Sequence, residues 1–298
     1  MRPIAIALLA ALLAAPLQAA PEMRTRSQPA LLVIETPVLA SRVDGWIEVG
    51  AEGSVVGYEP ITVLGEPLAT RVKAMVRGFR FEPVVEGGRA VVARARMRLA
   101  LVASELPDKS LRVSIENVTF PDPDGTPSVQ AGVPRVVKKA PMRYPEANLP
   151  LGLAARVLVM VNMDGTGAIR DVAVRQSALL HARGSQSQVQ KALAEFETAA
   201  LRSISRWQVQ TERVPGSPPA AEFLTGLVVV EFTVTGSPRP RAGMWVWETR
   251  SAARPAPWAD TETAARMPGV GDVSGQDALA TLTTPRLKLT SSPRDAVL

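Results

Sequence analysis

Between residues 157 and 234 the hydrophobic period changes in a fixed order. Val157 to Met163 has few polar positions, as a strand covered on both faces does. Asp164-Gly165 is a strong turn signal, and Ile169, Val172 and Val174 form the return strand. From Gln188 to Ile204 the apolar residues Val189, Ala192, Leu193, Phe196, Ala200 and Leu201 recur near 3.6, the mark of an amphipathic helix. Trp207 and Val209 then alternate. Pro215-Gly216-Ser217-Pro218-Pro219 reads as a loop, and Leu224 to Val234 as a strongly apolar strand. Hairpin, helix and returning strand specify a small antiparallel sheet packed on one helix.

A similar order runs through residues 40–120. Trp46, Ile47 and Val49 lead to a Glu52-Gly53 turn and to Val55, Val56 and Tyr58. Pro67 opens a helix carrying Leu68, Val72, Met75 and Val76, which Gly78 closes. Phe79 and Phe81 alternate, Gly87-Gly88 is a turn, and strands run from Ala90 to Val102 and from Leu111 to Phe120. The matching order predicts a degenerate internal duplication; the alternative is two unrelated modules that share a common order. The run Pro121-Asp122-Pro123-Asp124-Gly125-Thr126-Pro127 is the natural boundary. The expected fold class is therefore α+β, with two small modules, each a short antiparallel sheet on one helix, plus a signal peptide and a flexible tail. The expected divisions are a signal peptide at 1–19, modules at 40–120 and 135–235, a linker at 121–134, and a low-complexity tail at 236–298, where periodicity fades.

Arg2, the apolar run Ile4 to Ala15, Pro16 and Leu17-Gln18-Ala19 make a secretory signal with cleavage after Ala19. The run is shorter than the about 20 residues that span a bilayer. A periplasmic protein is expected, membrane-associated only if that segment stays uncleaved. The chain has no cysteine, which rules out disulfides and thiol chemistry. The net charge of +6 rests on arginine, with only six lysines, and the basic residues form no block. Arg94, Arg96 and Arg98 alternate on one strand and are expected on one solvated face. With 4% aromatics, neither a stacking platform nor an electrostatic footprint for nucleic acid is present in the sequence.

Catalytic chemistry finds few carriers. His181 is the only histidine and lies in a loop-like stretch with no carboxylate near it in sequence. Asp122 and Asp124 sit among prolines and glycine, where they serve turns, and are too few for calcium. Gly165-Thr166-Gly167 is too short for a phosphate loop. The expectation is a non-catalytic protein with no metal and no cofactor.

Ala140-Pro141-Met142-Arg143-Tyr144-Pro145, then Gly152, the Val157 to Met163 strand, Asp164-Gly165, the helix, Trp207 and the Leu224 to Val234 strand occur in an order that resembles the C-terminal domain of TonB-family energy transducers. The resemblance covers about a third of the chain, Lys138 to Val234. It implies a partner-binding edge formed by the Tyr-Pro segment and the last strand: Arg143, Tyr144 and Pro145 as side-chain contacts, and Val228, Val229, Val230, Glu231 and Phe232 as strand backbone. An extended peptide of an envelope or outer-membrane protein would add there as a strand, and exchange of that strand between copies would give a homodimer. Transducing members also carry an inner-membrane helix and a long proline-rich spacer, which this sequence does not match. The alternatives are an envelope scaffold or peptidoglycan-binding protein without energy transduction, and a hydrolase with an atypical carboxylate site.

Overall fold

The computed structural model describes residues 32–35, 37–121, 134–182, 184–211, 223–234, 240–259, 267–272, 279–281 and 287–292. The expected signal peptide, nearly all of the expected linker, and the Pro215–Pro219 loop lie outside them.

The strands are β1 (Val38–Val49), β2 (Val55–Pro60), β3 (Val84–Glu86), β4 (Arg89–Val91), β5 (Ala93–Glu105), β6 (Leu111–Thr119), β7 (Pro134–Lys138), β8 (Ala154–Asp164), β9 (Ile169–Leu180), β10 (Gln208–Thr211), β11 (Phe223–Phe232), β12 (Val246–Arg250) and β13 (Leu279–Thr281). The helices are α1 (Leu68–Arg77) and α2 (Gln186–Ile204), with a short 3₁₀ turn at Glu146–Asn148.

Local chemistry explains the hairpins and helices. Asp164 Oδ1 accepts from the backbone N–H of Thr166 and of Ala168, at 2.9 and 3.1 Å, which closes the β8–β9 turn. Gly167, not Gly165, takes the positive φ there, +90°. In the β1–β2 turn Gly53 has φ +86°, and a Cβ on it would lie 2.1 Å from Phe81 O, so only glycine fits. Helix α2 opens with a capping box: Ser185 Oγ accepts from the Gln188 N–H, and Gln188 Oε1 from the Ser185 N–H.

The expectation of two separate sheet-on-helix modules with a flexible tail is not what forms. One nine-stranded antiparallel sheet runs through both halves, in the order β13-β11-β8-β9-β12-β1-β5-β6, with β2 added to β1. Among the described residues strand far exceeds helix, 47% against 15%. The joining piece comes from the expected tail. Strand β12 pairs with β9 on one side, Thr249 opposite Leu179, and with β1 on the other, Leu39 opposite Trp247. The residues after it continue the seam: Ser251 N–H donates to Ser177 O, and Ala252 N–H to Val33 O.

Both helices cover one face of this sheet. Val43, Ile47, Leu99 and Leu101 pack there with Val72 and Val76 of α1. Val157, Val159, Val172 and Val174 pack with Leu193, Phe196 and Ile204 of α2. The opposite face, with Leu158, Met160, Ala173, Leu227 and Val229, is covered by Ala256, Met267 and Val270. Leu287, further along the expected tail, is buried in the α1 core. Each half repeats one connection: a hairpin, a helix, then a strand antiparallel to the first strand of the hairpin.

Candidate functional site

Tyr144 organises one end of the α2 layer. Its ring packs edge-on against Phe196 and Phe232, with centroids 5.4 and 6.3 Å away. Its hydroxyl donates to Leu153 O and lies 3.3 Å from Asn148 O, and burial raises its pKa. Pro145 starts the 3₁₀ turn, accepting from the Asn148 N–H at 3.0 Å. Gly152 turns the chain into β8 with φ +59°. These contacts fix the 146–153 loop at both ends.

Between that loop, the first turns of α2 and the ends of β8 and β9 lies a groove of about 880 Å³. Its apolar lining includes Ala147, Leu151, Leu153, Leu180, Val189 and Ala192. Leu151 is 68% exposed, an apolar side chain at the rim with no core to fill. The polar groups are Asn148, His181, Gln188, Lys191 and Glu195. Asn148 is buried and donates to Glu195 Oε2 at 3.0 Å, fixing one wall. His181 follows β9 with φ +56°, unusual for a non-glycine residue, and its backbone N–H donates to Trp247 O at 2.8 Å. A concave apolar surface with a few convergent polar groups is the usual form of a binding site.

The residues singled out in the sequence fall differently. Arg143 is exposed. Tyr144 and Pro145 are half-buried, Tyr144 against Phe196 and Phe232, and neither lines the groove. Val228, Val229, Val230 and Phe232 are buried. The open rim expected at β11 is partly taken by the chain itself: β8 pairs along Phe223–Phe232 on one side, and β13 pairs with Gly226, Leu227 and Val228 on the other. Glu231 faces away from α2, in an ion pair with Arg156 at 3.2 Å. No residue of the groove is expected from the sequence as a contact, although His181, Gly152, Val189 and Ala192 stand out there for other reasons. The signal for them is Leu149-Pro150-Leu151-Gly152, apolar side chains inside a turn-forming segment.

A second polar region crosses the face opposite α2. Arg156 reaches Glu231 and Glu248, both at 3.2 Å. Arg250 reaches Glu248 at 2.7 Å and also pairs with Glu116. Arg98 pairs with Asp44 at 2.8 Å, and both are buried. This corrects the expectation of a solvated arginine face: Arg94 is exposed beside Glu59, whereas Arg98 is buried against Asp44. Attraction to neighbouring Glu248 and Glu116 outweighs burial and raises the pKa of Arg250, so it stays charged.

Among the described residues no group of three or more His, Asp or Glu side chains could hold a metal ion, and no helix is long and apolar enough to cross a membrane. The chain matches no protein-family model, no curated protein and no solved structure. The likeness to TonB-family C-terminal domains therefore rests on the order of motifs alone.

Proposed function

We propose that this chain is an exported, non-catalytic binding protein of the periplasm that holds an extended apolar peptide segment of an envelope or outer-membrane protein in the groove beside α2. The observation that carries the reading is the composition of that groove. Its apolar floor suits side chains, and its rim offers both donors and acceptors, Lys191 and Gln188 with Glu195 and Asn148. A peptide backbone can use both kinds of group, whereas an acyl chain would cover the floor and make no hydrogen bond to Gln188, Lys191 or Glu195. The secretory pattern in residues 1–19 supports the location. Resemblance of the 138–234 segment to TonB-family domains supports a partner among envelope proteins. The groove replaces the open strand edge as the principal site, because β13 occupies part of that edge.

The test is fluorescence polarisation with labelled decapeptides rich in leucine and valine, run against scrambled polar controls. A groove of this kind is expected to bind at micromolar Kd, about −8 kcal/mol. Leu151→Glu and Ala147→Trp alter exposed lining residues, so the fold is retained. Each is expected to weaken binding by about tenfold or more, about 1.4 kcal/mol. Equal affinity in wild type and both variants would refute the site. Sedimentation with purified cell wall, with no peptide bound, would favour the scaffold alternative.

A further inference from the structure

The face opposite α2 holds a small cleft of about 40 Å³ whose walls carry four arginines, Arg42, Arg156, Arg241 and Arg250, but only two carboxylates, Glu231 and Glu248. Both carboxylates are engaged by Arg156, and Glu248 also by Arg250. Beyond the wall, Arg250 is compensated by Glu116, with Glu35 and Asp272 nearby. Arg42 is left short. Its nearest carboxylate, Asp44, lies at 3.5 Å and is already held by Arg98 at 2.8 Å. Its Nε is buried and makes no hydrogen bond. Arg241 stands exposed at the mouth beside Met244, and among the described residues its side chain has no ion pair. Two guanidinium groups thus line one small space, one of them with a buried Nε that makes no hydrogen bond.

We propose that this cleft is a carboxylate-binding site, in which Arg42 and Arg241 take the two oxygens of one carboxylate and Arg156 forms the floor. A guanidinium donates through a planar fork that matches a carboxylate. The small volume admits the head group while the rest of the ligand stays outside. The pKa of Arg42 is lowered by burial and by the neighbouring Arg98 and Arg156, more than Asp44 and Glu231 restore it. A bound anion would relieve that repulsion. The site lies across the sheet from the α2 groove and does not depend on it.

The full mature chain is titrated with ¹³C-formate and ¹³C-acetate by NMR line broadening. Thermal unfolding is followed in parallel at constant ionic strength, with chloride and sulfate as comparison salts. Saturable broadening is expected, with a Tm rise of about 3 °C at tenfold excess over Kd. Arg241→Gln, which is exposed, is expected to abolish both effects without changing the Tm in chloride, and Arg42→Gln to do the same from below. Comparing acetate with a short peptide bearing a free or an amidated C-terminus separates two carboxylate sources, small acids and chain ends. Equal stabilisation by chloride or sulfate, no saturation, or an unchanged response in Arg241→Gln would overturn the proposal.

Discussion

Asp272 accepts from Asn117 Nδ2 and from the Gly269 N–H, both at 2.7 Å, through the same oxygen. Its other oxygen is buried without a partner. Burial is the main cause that pushes its pKa up to about 6; Glu116 adds to the rise, and Asn117, Gly269 and Arg250 oppose it. In the unfolded chain the group titrates near about 4. Between those values the folded state holds a proton that the unfolded state has lost, so stability falls as pH rises from about 4 to about 6 and is flat above. The contribution at stake is about 3 kcal/mol. Urea unfolding of Asp272→Asn is expected to show a stability curve flatter by about that amount across this window. The asparagine can still accept both hydrogen bonds. Parallel curves for variant and wild type would show that Asp272 does not titrate there. None of this is visible in the sequence, where Asp272 falls in the expected low-complexity tail at 236–298. The burial comes from chain 155 residues away, at Asn117.

Gly226 shows how one element controls another. A Cβ at this position would meet Leu279 Cδ1 at 2.5 Å and Met163 Cε at 3.0 Å. The glycine leaves room for Leu279 to reach the α2 core, and so for β13 to lie against β11. Gly226→Val is expected to expel β13, cost about 2 kcal/mol, and uncover a strand edge that pairs with a second copy. Light scattering at several concentrations should then show a dimer. A stable monomer would mean that β11 has no capacity for strand addition. The hairpins β1–β2 and β8–β9 and both helices were legible in the sequence, because period and turn residues are local signals. Strands β12 and β13 were not, since five and three residues carry no period. Glu248 and Arg250 also look solvated as sequence, yet are buried, because each neutralises the other inside the seam. Tyr144 was legible as a residue that matters, but not as the one that sets the loop and thereby the groove.

At the scale of the molecule the question is whether the two halves can open separately. Two modules joined by a linker would unfold independently, each with its own stability. Here the backbone pairing across the seam is short, three residues on each side of β12. Those ladders alone would hold the halves weakly. The ion pairs decide the matter, since they run from Arg156 on β8 through Glu248 and Arg250 on β12 to Glu116 on β6. Opening the first half alone would take Glu116 from a buried Arg250, and would strip β1 from β12. Glu116 is partly exposed and Arg250 keeps Glu248, so losing this pair costs less than the about 3 to 5 kcal/mol of a fully buried one, but it adds to the loss of the β1–β12 ladder against a typical domain's stability of about 5 to 15 kcal/mol. A partly open state carries that penalty with little compensating entropy, so the halves are expected to unfold together. Native-state hydrogen exchange in low urea is the measurement. Amides of Leu99–Leu101 in β5 and of Val157–Val161 in β8 should merge into one isotherm, with the same stability and the same urea dependence. Two isotherms separated by more than about 2 kcal/mol would show that the seam transmits no coupling and that the halves behave as separate folding units.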